Sequence, residues 1–87
     1  MVSEKVIVKN PTGLHLRPAG LLCNQAMKYQ SSVQFSHNHT VSNAKSVLSV
    51  LAACVKCGDE IELICEGEDE DTALREMILL IQSGLGE

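Results

Sequence analysis

The sequence predicts an α/β (α+β) fold: a two-layer, open-faced sandwich of order β-α-β-β-α-β-α, in which three helices cover one face of a four-stranded antiparallel sheet. Three observations carry this. Ile61, Leu63 and Cys65 alternate with Glu60, Glu62, Ile64 and Glu66, the period-two pattern of a strand with one buried and one largely polar face. Leu74, Met77, Ile78 and Ile81 recur at helical spacing behind the acidic run Asp69-Glu70-Asp71. Val33-Gln34-Phe35 and Thr40-Val41-Ser42 flank the polar stretch Ser36-His37-Asn38-His39, as two strands of a hairpin would. A sheet with one apolar face needs a covering layer, and amphipathic helices supply it.

The elements follow in order. Val6-Ile7-Val8 marks a first strand over residues 3–9, and Asn10-Pro11-Thr12-Gly13 stops it as a turn cluster. From Leu16 to about Tyr29, the positions Ala19, Leu22, Cys23, Ala26 and Met27 form a helical stripe. The hairpin comes next. Ser46 then precedes Val47, Leu48, Val50 and Leu51, which fit a short helix with the serine at its N-cap. Lys56-Cys57-Gly58-Asp59 breaks that helix before the fourth strand. In the last helix Asp71 is the expected cap and Gly84 the stop. No repeat, linker or low-complexity stretch interrupts the pattern, so residues 1–87 are expected to form a single domain.

Composition excludes several functions. A hydrophobic fraction of 45% argues against global disorder. Tyr29 and Phe35 are the only aromatic residues, which leaves almost nothing for stacking on unpaired bases. The net charge of −4 is the wrong sign for a DNA binder, so no nucleic-acid partner is expected. That total hides an asymmetry. Up to Gly58 six basic side chains face Glu4 alone, whereas from Asp59 onward ten acids face Arg75 alone. A basic half clustered in space would steer acidic partners or phosphate. The longest apolar runs, Val50 to Val55 and Met77 to Ile81, are too short to span a bilayer. Met1 to Lys5 leads straight into a strand with no signal-peptide apolar region. A cytoplasmic protein without a membrane partner is expected.

The chemistry concentrates in Gly13-Leu14-His15-Leu16-Arg17-Pro18-Ala19. Proline near a helix start is favoured because its missing N–H would be unpaired there. The N–H groups that remain free, with the positive end of the macrodipole, make an anion site. A nucleophilic imidazole at that site, with a guanidinium two residues on, suits the acceptance and return of a phosphoryl group. His15 is the expected acceptor and Arg17 its phosphate partner, with the backbone N–H groups of Leu16 and Arg17 receiving phosphate oxygens.

The chain resembles the HPr family, the histidine-containing phosphocarriers of the bacterial sugar phosphotransferase system. The resemblance runs the whole length: Gly13-Leu14-His15 with Arg17-Pro18-Ala19, Asn43 to Val47 around a serine, and Gly58-Asp59-Glu60 before the fourth strand. It implies that His15 takes a phosphoryl group, on Nδ1, from phosphorylated enzyme I and passes it to sugar-specific enzyme IIA domains. It implies a monomeric relay, not an enzyme with its own turnover, and no cofactor. It also implies a regulatory site at Ser46, which an ATP-dependent HPr kinase/phosphorylase modifies in Gram-positive members, the product acting as corepressor for a catabolite-control transcription factor. Leu48 and Leu51, one turn apart, are either core positions or an apolar patch for partner docking.

Three positions depart from the family. Leu16 stands where a small or polar residue is usual, and Ser49 and Cys54 replace residues that are often glycine. Four cysteines raise a metal or redox reading, but Cys54-Val55-Lys56-Cys57 has no second pair and sits at the end of a helix, where the dipole does not activate a thiol. Cys23 and Cys65 fall on apolar-periodic positions and read as core residues. His37 and His39 read as solvated turn residues with no further metal ligands. A metal-carrier domain would place its Cys-x-x-Cys in the first strand–helix loop, where His15 stands. An acylphosphatase-like enzyme would release free phosphate, whereas a central histidine retains it. The nearest alternative is a specialised regulatory relative acting mainly through Ser46, or a non-sugar phosphorelay.

Overall fold

The structure, a computed structural model, describes residues 1–87. Its elements are β1 (Val2–Ile7), α1 (Leu16–Ala26), β2 (Ser32–His37), β3 (Thr40–Asn43), α2 (Val47–Ala52), β4 (Glu60–Glu66) and α3 (Glu70–Gln82). The sheet runs β1-β4-β2-β3 with every pair antiparallel. Val6 pairs with Ile61, and Phe35 lies between Leu63 on one side and Ser42 on the other. These registers place Val6, Ile61, Leu63, Cys65, Val33 and Phe35 on one buried face. Leu22 and Ala26 from α1, Val50 from α2, and Met77 and Ile81 from α3 complete the same cluster. The other face, carrying Lys5, Glu62 and Ser36 in one cross-strand row, is left uncovered by helices.

The predicted order and the sandwich are observed. Several boundaries and roles differ. β1 begins at Val2 and ends at Ile7; Val8 lies beyond it, yet is buried and bonded in both directions, its N–H to Asp59 O (2.9 Å) and its carbonyl to Gly58 N–H (2.7 Å). α1 stops at Ala26, three residues short of Tyr29, so Met27 leaves the stripe and is 62% exposed. His37 is the last residue of β2 and not part of the turn, which Asn38 and His39 form alone, both with positive φ. That makes His37 an inward-facing, buried side chain.

Asp71 does not cap α3. The helix N-cap is Asp69, and its carboxylate does not bond its own helix. It instead accepts the N–H groups of Gln30 (3.0 Å) and Ser31 (2.9 Å) and the Ser31 hydroxyl. Glu70 Oε1 reaches back to accept Gly67 N–H at 3.1 Å, tying the preceding loop to the helix without capping it. The two loops meet so closely that a Cβ on Gly67 (φ +149°) would lie 2.6 Å from Ser31 Cα. The Ser31 hydroxyl, then the Ser31 and Gln30 N–H groups, hold the Asp69 carboxyl below the usual carboxylate range. A group with a depressed folded pKa stabilises above its unfolded value and loses that contribution as pH falls through the folded one. Asp69→Ala is therefore expected to lower the thermal midpoint at neutral pH by roughly 5 °C or more. The gap to the parent should close as pH falls below about 4, which calorimetry at several pH values would read.

Candidate functional site

The turn before α1 sets the site. Asn10 is buried; its Nδ2 donates to Gly13 O (2.6 Å), while Gly13 N–H returns to Asn10 O (3.0 Å). Gly13 has φ +65° and runs against the segment after α2: a Cβ there would sit 2.5 Å from Val55 O and 2.8 Å from Lys56 Cα. The close approach lets Leu14 N–H donate to Val55 O at 3.0 Å, and Leu14 fills the core beneath. The next residue, His15, is thereby lifted onto the surface.

His15 is the N-cap of α1, in extended conformation (φ −80°, ψ −171°), and its ring caps nothing. It is exposed. The first bond of the helix runs from Ala19 N–H to His15 O at 2.8 Å. Pro18 has no N–H, so the free donors at this helix start are the N–H groups of Leu16 and Arg17, which bond to no protein acceptor. Arg17 is also exposed. The arrangement offers an open nucleophile, two unspent backbone donors and a guanidinium at the positive end of a helix, which together suit a dianion.

A groove of about 420 Å³ opens beside the ring, lined by Thr12, Leu14, Leu51, Cys54, Val55 and Lys56 as well as His15. Its far wall is therefore the end of α2 and the segment that follows. Sequence reasoning missed three contributors. Val55 and Lys56 build the wall through their backbone, which no side-chain pattern announces. Glu87 folds back on the turn, its Oε1 accepting from Asn10 Nδ2 (3.0 Å) and Thr12 Oγ1 (2.8 Å). Asn10 first, then Thr12, and more weakly the Arg17 charge hold the Glu87 carboxyl below its usual range.

The remaining predicted positions fall as follows. Ser46 is the N-cap of α2, its Oγ accepting Ser49 N–H at 3.2 Å. It starts the short helix whose other end lines the His15 groove, without lining it itself. Leu48 is 80% exposed, whereas Leu51 is half-buried against the core. Leu16 is 64% exposed beside His15. Cys54 has φ +56°, the left-handed region that glycine occupies without strain. Cys23 and Cys65 are buried, and Cys54 and Cys57 exposed, all four as free thiols. Burial pushes the Cys65 thiol above its ordinary value, helped by Glu70 and Asp69. No three His, Cys, Asp or Glu side chains converge as metal ligands, and no helix is long and apolar enough to cross a membrane.

His37 is not the solvated turn residue expected. It is 8% exposed, with Nδ1 3.1 Å from Ala53 O and Nε2 3.0 Å from Asp59 Oδ2. The strand runs two residues further than its apolar pattern, which turns the ring inward.

An open-faced sandwich presenting an exposed histidine at a helix start defines a class of small phosphate-handling carrier domains. The family described as PTS-HPr, PTS HPr component phosphorylation site, matches residues 2–83, and the chain belongs to it. It is 38% identical over 87 residues to the phosphocarrier protein HPr of Treponema pallidum, covering 100% of this chain and 99% of that protein. It is also 38% identical over 82 residues to the HPr-like protein Crh of Bacillus subtilis, covering 94% and 96%. The crystal structure of HPr-C-His from Thermoanaerobacter tengcongensis superposes with a TM-score of 0.96 at 36% identity, over 100% of this chain and 98% of that one.

Proposed function

We propose that this chain accepts a phosphoryl group on His15 from phosphorylated enzyme I and passes it to sugar-specific enzyme IIA domains, as a monomer in the cytoplasm. One observation carries the reading: His15 is exposed, engaged by no other side chain, and stands at a helix start with two free N–H donors. The lone pair of a neutral ring nitrogen, Nδ1 by family resemblance, attacks phosphorus. The N–P bond forms as the bond from phosphorus to the donor breaks, and the donor keeps that electron pair. Onward transfer reverses the exchange. Arg17 and the Leu16 and Arg17 N–H groups meet the phosphate oxygens. The site must hold the phosphoryl group without trapping it, and open, solvated contacts serve that better than a closed pocket would. No cofactor is needed, and the chain is a relay substrate with no turnover of its own.

Leu16 and Leu48, with the exposed edge of Leu51, form the apolar part of the docking surface; the exposed Arg17 next to Leu16 suits a partner with an acidic face. The test is phosphorus NMR after incubation with phosphoenolpyruvate and catalytic enzyme I. A stoichiometric, acid-labile phosphohistidine signal is expected. A folded protein that shows none beside an active enzyme I overturns the reading.

Ser46 is proposed as the regulatory site, modified by an HPr kinase/phosphorylase and then read by a catabolite-control transcription factor. Phosphoserine adds roughly −1.5 to −2 charges next to the docking leucine Leu48. Asp is as good an N-cap as Ser, so Ser46→Asp should fold normally. It should also slow phosphoryl acceptance from enzyme I by roughly tenfold through like-charge repulsion. An unchanged transfer rate removes the regulatory assignment. The equal identity to Crh favours a second reading, a regulatory relative acting mainly through Ser46 or in a non-sugar relay. It predicts phosphoserine without phosphohistidine.

A further inference from the structure

The wall of the His15 groove is a loop, residues 53–59, between α2 and β4, and one buried side chain ties it to the sheet. His37, at the end of β2, faces an acceptor with each ring nitrogen: the Ala53 carbonyl at 3.1 Å and the Asp59 carboxylate at 3.0 Å. Asp59 Oδ2 also accepts Lys56 N–H at 2.9 Å. His37 thus grips the start and the end of the loop at once, and through Asp59 its middle. Val55 lies inside the gripped stretch, and its carbonyl receives Leu14 N–H, the backbone bond that immediately precedes His15.

A neutral imidazole has one N–H and satisfies one of these two acceptors; only the imidazolium donates to both. Losing the second proton leaves either the buried ring without its bond to the Ala53 carbonyl or a nitrogen lone pair facing the Asp59 carboxylate, which is partly exposed and still holds Lys56 N–H; either way one of the ring's two ties to the loop is lost. We propose that His37 is a positioning residue for His15, a proton-dependent clasp that fixes the groove wall while its ring is doubly protonated and loosens it on deprotonation.

The surrounding charges fit that assignment. Asp59 faces the ring directly, and the Lys56 N–H first, then the His37 ring, hold its carboxyl below the usual range. The acidic limit of the clasp is therefore set by Asp59 and lies below ordinary carboxylate titration. Lys56 and the exposed thiols of Cys54 and Cys57 belong to the loop itself. Lys5, His39, Glu60 and Glu62 line a separate hollow, with Lys5 and Glu62 paired on the uncovered side of the sheet. His15, which lines the groove, and His39, which lines the hollow, are the chain's other imidazoles, and a test must separate all three.

Protection of the Leu14 amide against hydrogen exchange, corrected for the intrinsic pH dependence of exchange, reads the wall without any phosphoryl transfer. It should fall roughly tenfold or more as His37 loses its second proton, with the midpoint of the ring seen in nitrogen-15 spectra of the same sample. Asp59→Asn removes the charge but keeps an acceptor, and the protection step in that variant should still coincide with the ring's own midpoint. His37→Phe should abolish the step, while His15→Ala should leave it. Protection that stays flat through the His37 titration, or follows His15 instead, overturns the proposal. So does a ring carrying one proton at every pH at which the domain is folded.

The consequence for transfer rests on the phosphocarrier reading. At saturating enzyme I, the rate of His15 phosphorylation in Asp59→Asn should follow Leu14 protection across pH, with the KM for the carrier little changed. Absence of phosphorylation at any pH refutes that reading alone, since the exchange result decides the clasp independently.

Discussion

His15→Ala is expected to leave a folded domain that takes up no phosphoryl group at all. Both halves of that outcome come from where the side chain sits. The ring is exposed and caps nothing, and what the helix needs from this residue is the carbonyl that accepts Ala19 N–H, which alanine supplies equally. Surface changes of this kind alter stability by about 0.5 kcal/mol or less. The proposed nucleophile, by contrast, has no understudy. His37 is locked between Ala53 and Asp59, and His39 lines a different hollow. Phosphorus NMR and urea unfolding on one preparation check both halves. Labelled acceptance by the variant would sink the assignment of His15, and a collapse of stability would show that the ring is structural.

Gly13→Ala should do the reverse, damaging the fold and the site together. Alanine there must adopt φ +65° and push its Cβ to 2.5 Å from Val55 O and 2.8 Å from Lys56 Cα. Both neighbours are backbone, so neither can swing aside. The left-handed conformation and the overpacking together are expected to destabilise by roughly 2–4 kcal/mol. Relief comes only by separating the turn from the wall, which breaks the Leu14–Val55 hydrogen bond and shifts His15. Gly20→Ala is the control. It lies within α1, where an added Cβ meets nothing within 4 Å, and alanine should stabilise the helix by about 0.5–1 kcal/mol. Unfolding curves of the two variants should therefore move in opposite directions. A Gly13→Ala protein as stable as its parent would show that the turn and the wall are not in contact.

What could be read from the chain alone was whatever depends on local periodicity. Ile61, Leu63 and Cys65 announce β4 because a half-buried strand alternates. Ala19, Leu22, Cys23 and Ala26 announce α1 because a helix repeats its face. Ser46 announces its own cap because the bond it makes, to Ser49 N–H, lies three residues away. The placement around His15 was legible for the same reason, since imidazole, guanidinium and helix start are neighbours in sequence.

Most of the misreadings involve partners distant in the chain. Asp69 looked like one member of an acidic helix start and is instead the acceptor for Gln30 and Ser31. His37 looked like a turn residue because its acceptors, Ala53 and Asp59, lie in a loop that folds back on β2. Glu87 carried no signal, as its partners Asn10 and Thr12 stand at the other end of the chain. Met27 failed for a different reason: the stripe continued one residue beyond the point where the helix itself ends.

The contact between Gly13 and residues 55–57 has a consequence in time as well as in space. On the ribosome His15 emerges well ahead of the loop that supports it. Until that loop arrives and β4 has paired, the turn at Gly13 has nothing to lean against and Leu14 N–H has no acceptor. A nascent or half-unfolded chain thus displays the same motif, letter for letter, without the shape of the folded site. On the proposed function, readiness to carry phosphate would therefore wait on completed folding.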